Sequence, residues 1–136
     1  MEYRVCRNNP APYNDLNGKI SLLGLGTMRL PLRDAADQTS IDEEKAQEIF
    51  DYAYAHGVNY FDTAYPYHGG MSEEFCGKAL AKYPRASYHL ASKLPGWLLK
   101  CDEDVPRIFN EQLANCRTDY FDFYLAHSVH ESSWSN

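Results

Sequence analysis

Four short apolar segments recur along this chain at nearly even spacing, their ends falling at Gly26, Asp62, Ser92 and Ala126, separated by 36, 30 and 34 residues. Each gap holds a stretch with helical periodicity, and gaps that long exclude hairpins. A strand, loop, helix, strand rhythm of this period demands parallel strands joined by right-handed crossovers. In the first gap, Ala46, Ile49, Phe50 and Ala53 recur at i, i+3, i+4 and i+7 and predict the buried stripe of a helix. Ser40-x-x-Glu43 reads as its capping box and Gly57 as its left-handed C-terminal cap. The second strand is expected at 58–62, and the second helix is capped by Ser72, buries Phe75, Ala79 and Leu80, and stops before Pro84. A third strand at 87–92 precedes a helix that opens at Asp104, tolerates Pro106 in its first turn, and buries Val105, Ile108, Phe109, Leu113 and Cys116. The fourth strand is expected at 120–126.

Ahead of this array, Asn17-Gly18 supplies the two positive-φ positions of a tight turn, so residues 1–23 read as an N-terminal hairpin before the first array strand at 22–26. The whole is one α/β domain over 1–136, four parallel strands and three helices, with a polar, loose tail at 128–136. Two architectures fit such an array: an open doubly wound sheet, or part of a closed eight-stranded barrel of ~250 residues. The pattern alone does not choose between them.

A net charge of −6 opposes binding to polyanions, so no nucleic-acid partner is expected. No apolar run approaches the ~20 residues of a membrane helix, and the start Met1-Glu2-Tyr3-Arg4 lacks the apolar core of a signal peptide, which predicts a cytoplasmic protein without a membrane partner. The four cysteines, Cys6, Cys76, Cys101 and Cys116, form no Cys-x-x-Cys pair and read as reduced thiols rather than ligands.

In either architecture reactive groups gather at the C-terminal ends of the parallel strands. This sequence places there Gly26-Thr27-Met28, then Asp62 with Tyr65 and Tyr67, then Lys93, and finally His127. An Asp, a Tyr, a Lys and a His make a proton-donating centre. A phenol with a free pKa of ~10 ionises more readily beside a cation, the place Lys93 would take. Asp62 would hold that ammonium, His127 would orient a carbonyl by a hydrogen bond, and Tyr67 would be the general acid. Trp97 and Tyr65, on strand-end loops, are candidates for an apolar substrate wall.

Each of these residues also has a plain reading: Tyr67 as one of eleven tyrosines, Lys93 as a solvated loop residue, Asp62 as a turn cap. Their coincidence at strand ends favours a site. Gly24-x-Gly26 lacks the third glycine of a dinucleotide fingerprint and is read as a turn. The rival enzyme class is a metal-dependent barrel hydrolase using His127 and His130 with Asp62 and His68, although such a site has no need of the Tyr and the Lys; the expected metal set is none. Glu43-Glu44 and Glu73-Glu74 lie in first helical turns and read as solvated caps.

Three runs carry a family resemblance: Gly24-Leu25-Gly26-Thr27-Met28-Arg29-Leu30-Pro31, Asn59-Tyr60-Phe61-Asp62-Thr63-Ala64-Tyr65-Pro66-Tyr67, and Asp119-Tyr120-Phe121-Asp122-Phe123-Tyr124-Leu125-Ala126-His127. From about Lys19 to His127 the chain resembles the aldo-keto reductases, and the run Tyr67-His68-Gly69-Gly70-x-Ser72-Glu73 is most similar to bacterial members. The resemblance implies the N-terminal half of a TIM-type (β/α)8 barrel. It further implies reduction of an aldehyde or ketone by NADPH, with Asp62, Tyr67, Lys93 and His127 as the catalytic tetrad. Gly26, Thr27, Met28 and Asp62 would lie close to the nicotinamide end of NADP. Family members run to roughly twice this length, so two expectations accompany that reading. One is self-association through open sheet edges. The other is a truncated piece that keeps the residues but acts only in assembly or binding.

Overall fold

The computed structural model describes residues 1–5 and 19–133. Its first strands, β1 (Tyr3–Val5) and β2 (Lys19–Ser21), pair antiparallel as a ribbon. The Asn17-Gly18 turn and Cys6 lie outside the described residues. Four further strands, β3 (Leu25–Gly26), β4 (Tyr60–Asp62), β5 (His89–Leu94) and β6 (Phe123–Ala126), form one parallel sheet. Helices α1 (Glu43–Ala55), α2 (Met71–Leu80) and α3 (Asp104–Asn115) fill the three crossovers. Among the described residues no helix is long and apolar enough to cross a membrane.

The strand order β3-β4-β5-β6 follows the chain without reversal. A doubly wound sheet reverses its order at a switch point, whereas right-handed crossovers in one direction place every helix on one face, which is barrel winding. That covered face holds the core. Phe61 of β4 stacks on Phe50 of α1 with ring centroids 5.3 Å apart, and Phe75 of α2 meets Phe50 edge-on at 5.5 Å. Ala46, Ala79, Leu80 and Leu90 close the rest. The antiparallel ribbon seals the other end of the sheet: Asn59, just before β4, donates to the Lys19 carbonyl, and the first residue of β5, His89, has Nε2 2.8 Å from that same oxygen. The C-terminal strand ends stay open.

Several boundaries differ from the sequence pattern for local reasons. Asp42, not Ser40, caps α1, its carboxylate accepting from the Lys45 amide at 3.3 Å. Ser40 instead closes the preceding loop, its hydroxyl lying 2.7 Å from the Asp37 carbonyl and accepting from the Asp34 amide. The two-residue shift lets Ile41 enter the core before the helix starts. The cap of α2 is Gly70, at φ +97°, while Ser72 lies inside the first turn and fully buried. Ile49 of α1, expected in the buried stripe, is 40% exposed, and Val105 of α3 is exposed as well. Gly57 takes φ +85° after α1 as expected.

Candidate active site

Strand β5 runs two residues past Ser92, so Lys93 is part of the sheet, in register with Leu125 of β6. The pleat alternates its side chains: Leu90 packs into the core and Ser92 bonds to Glu73 of α2, so both face the helices, and His89, Ala91 and Lys93 face away. Asp62 ends the neighbouring strand on that same open side, one pair below Lys93 through its register with Ala91. The Lys93 ammonium donates to Asp62 Oδ1 at 2.5 Å and to the Thr63 carbonyl at 2.7 Å. Both side chains are largely shielded, at 13% and 27% exposure, which strengthens the pairing relative to a surface bridge.

Tyr67 opens the short 3-10 turn Tyr67–Gly70 that follows β4, its amide bonded to the Ala64 carbonyl. That turn lays its ring under Lys93, with Nζ 4.8 Å from the ring centroid. His127 follows β6 directly, its amide donating to the Leu94 carbonyl at 3.0 Å. Its ring meets Tyr67 edge-on at 5.7 Å and lies 5.0 Å from Trp97. Burial pushes the His127 pKa below the usual imidazole value, the Lys93 ammonium adds to this, and the Asp62 carboxylate opposes it. The first two effects favour the neutral imidazole over the charged one, and Nδ1 is buried and without a hydrogen-bond partner among the described residues. Asp62, Tyr67, Lys93 and His127, picked from four separate segments, thus come together at one place.

The other expected residues sort differently. Gly26 is open, with nothing within 4 Å of where a side chain would start, and Met28 is 55% exposed beside it. Thr27 is fully buried; its hydroxyl donates to the Asp62 carbonyl at 3.0 Å and lies 2.8 Å from Ser72 Oγ, so its side chain braces β4 from behind rather than facing the opening. Trp97 stands 55% exposed in the turn after β5, where a substrate wall would be. Tyr65 does not join it: its hydroxyl donates to Glu111 of α3 at 3.0 Å, turned away from the centre. His68, a candidate ligand in the metal reading, accepts the Leu30 amide on Nε2 and donates from Nδ1 to the Gln38 carbonyl. Both nitrogens serve backbone, leaving no lone pair for a metal. Among the described residues no three His, Cys, Asp or Glu side chains group as metal ligands.

Glu73 overturns its sequence reading outright. Far from a solvated cap, it is fully buried, accepting from Ser92 and from Gln112 at 2.6 Å each. The helix phase held the signal: Glu73, Cys76, Gly77 and Leu80 share the buried face of α2, while Glu74 is turned out. Gln112 was equally visible as a polar residue inside the apolar stripe of α3, and it too is fully buried.

Fold and strand-end centre together define part of a β/α barrel with its ionisable side chains gathered at the C-terminal strand ends, and comparison with known proteins gives the family. The sequence model of the Aldo/keto reductase family matches residues 22–133. The chain belongs to the aldo/keto reductase family. It is 32% identical over 117 residues to the L-galactose dehydrogenase of Arabidopsis thaliana, covering 82% of this chain and 35% of that protein. Among solved structures, the holo form of an aldo-keto reductase from Bacillus halodurans superposes with a TM-score of 0.69 at 30% identity, covering 92% of this chain and 40% of the other. An aldo-keto reductase from Klebsiella pneumoniae in complex with NADPH superposes with a TM-score of 0.68 at 26% identity, covering 96% and 41%. The described strands and helices are the N-terminal half of a (β/α)8 barrel. The chain spans about a third of the length of the curated relatives it matches.

Proposed function

We propose that this chain carries the proton-donating centre of an NADPH-dependent carbonyl reductase, with Tyr67 as general acid, Lys93 and Asp62 as its electrostatic support, and His127 as the group that orients the substrate. The observation that carries the reading is the Lys93 ammonium, fixed by Asp62 and the Thr63 carbonyl and lying 4.8 Å from the Tyr67 ring centroid. As a proton leaves the phenol, a phenolate forms, and a fixed cation beside it favours that charged form. Asp62 keeps the cation from swinging toward solvent. His127, edge-on to Tyr67 and with its neutral form favoured by burial, has a ring N–H to offer a carbonyl oxygen. Trp97 gives the apolar wall for a substrate with an aromatic or aliphatic body.

The bare Gly26 and the exposed Met28, next to Asp62, leave an open shelf that suits a flat nicotinamide ring. When bound, a reduced nicotinamide supplies the hydride that adds to the carbonyl carbon. The proton for the oxygen comes from Tyr67, and solvent returns one to the phenolate, so the alcohol forms with charge and electrons balanced. The Klebsiella relative was solved with NADPH, which supports NADP as the cofactor class. The assay is aldehyde-dependent loss of NADPH absorbance. Tyr67→Phe, which keeps the ring and removes the acid, is expected to lower the rate by about 10² or more. A variant as fast as the wild type contradicts the assignment.

A further inference from the structure

We propose that Glu73 is a positioning residue for Lys93, acting from behind β5 through Ser92 and Gln112. The proposal rests on the reading of Lys93 as the cation of the acid centre and adds to it a residue that never meets substrate.

The geometry is that of a single carboxylate at the crossing of three elements. From α2, Glu73 Oε1 accepts the Ser92 hydroxyl of β5 and the Gln112 amide of α3, both at 2.6 Å, while Oε2 accepts the Asn115 amide at 3.3 Å. The same Gln112 amide nitrogen donates to the Lys93 carbonyl at 3.1 Å. Its Oε1 in turn accepts the Tyr124 hydroxyl at 2.6 Å, on the strand that delivers His127. Ser92 and Tyr124, paired neighbours in β5 and β6, meet this network on the helix side of the sheet, and Ser92 is one peptide away from Lys93 on the open side.

Such an arrangement is costly unless complete. A carboxylate at 0% exposure loses its hydration, and burial accordingly pushes the Glu73 pKa up, with the three side-chain donors and the Lys93 charge opposing. An apolar side chain would fill the space between α2, α3 and β5 without that penalty. What the carboxylate adds is direction. Ser92 and Lys93 are successive residues of a pleated strand, so fixing Ser92 and the Lys93 carbonyl from behind sets where the Lys93 side chain leaves the sheet in front. An ammonium that must meet Asp62 at 2.5 Å tolerates little slack at its root.

The test reads Lys93 itself. Acetic anhydride labels free amines, and peptide mass spectrometry gives the labelling of Lys93 relative to the exposed Lys100. Glu73→Ala is expected to raise that ratio several-fold by loosening the ammonium from Asp62, and Glu73→Gln, which keeps the acceptor for Ser92 and Gln112, to return it near the wild-type value. Leu80→Ala, a core change in the same helix, is the control, measured at an equal interval below its own melting temperature; it is expected to leave the ratio unchanged. Should Glu73→Ala fail to fold, Gln112→Met removes the donor to the Lys93 carbonyl and carries the same readout. An unchanged ratio, an equal rise in Leu80→Ala, or failure of Glu73→Gln to restore it would overturn the proposal. Turnover is not part of the readout, so loss of the reductase reading and loss of this one are distinguishable.

Discussion

At the residue scale, the centre depends on charge placed where water is partly excluded. Lys93 is held by a carboxylate and a backbone carbonyl; its Nζ lies 4.8 Å from the Tyr67 ring centroid, and its charge acts on His127. Partial burial, and after it the Lys93 charge, holds the His127 pKa below its free value. Between the two values the unfolded chain binds a proton that the folded chain refuses, so this contribution to stability is present above the usual imidazole pKa of ~6.5 and is lost as pH falls through the folded value. Thermal melts from pH 8 down to pH 5 are therefore expected to show the wild type losing stability relative to His127→Gln, and parallel curves would contradict the placement. Asp62 and His127 stand where apolar runs stop, which is why their places were legible in the sequence; Lys93 lies inside β5 and Tyr67 in the turn beyond β4, so only the structure shows all four side chains meeting. Glu73 was not read correctly: beside Glu74 in a first turn, it differs only in helix phase, and a dipole argument applies equally to both. Thr27 and Tyr65 sit at legible places too, but which way each side chain turns depends on partners far along the chain, Ser72 and Glu111.

At the scale of elements, the alternation of strands and helices follows from periodicity, and the helix ends do not. Ser40 and Ser72 are both good cap residues by type, yet Asp42 and Gly70 cap the helices, because Ile41 must be buried ahead of α1 and Ser72 is drawn inward to the hydroxyls of Thr27 and Thr63 at 2.8 and 3.0 Å. Local propensity loses to tertiary partners there. The crossing of α2 and α3 sets a second demand that sequence does not advertise. A side-chain carbon on Gly77 would stand 2.6 Å from the carbonyl oxygen of Asn115 and 2.6 Å from the carbonyl carbon of Cys116, so only glycine lets the backbones meet. Since Asn115 and Gln112 reach Glu73 from the same end of α3, the close approach also sets the reach of that network. Gly77→Ala is expected to destabilise by about 1–3 kcal/mol, despite the better helix propensity of alanine, as read from urea midpoints. A gain in stability would show that the helices are not packed this closely.

At the scale of the whole molecule, the sheet has a sealed end and a working end. The β1–β2 ribbon bonds to Asn59 and His89 at the one, and all four site residues stand at the other. The sequence rhythm left a doubly wound sheet and a barrel equally open; the unreversed strand order decides for barrel winding. The outer strands β3 and β6 carry exposed apolar neighbours, Leu22 and Leu23 at one edge and Leu125 and Val129 at the other. Unpaired edges with apolar flanks invite association, so sedimentation of the 136-residue chain is expected to give a mass above 15.6 kDa that falls on dilution; a strict monomer at high concentration would contradict this. In the proposed reduction, hydride and proton meet at one carbonyl, with the proton coming from Tyr67. Its most direct test mixes the chain with an aryl aldehyde and NADPH bearing deuterium at both C4 positions, then analyses the alcohol by mass spectrometry. One deuterium is expected on the carbinol carbon with the wild type and almost none in the same time with Tyr67→Phe; alcohol without the label, or labelled alcohol formed equally by the variant, would overturn that reduction.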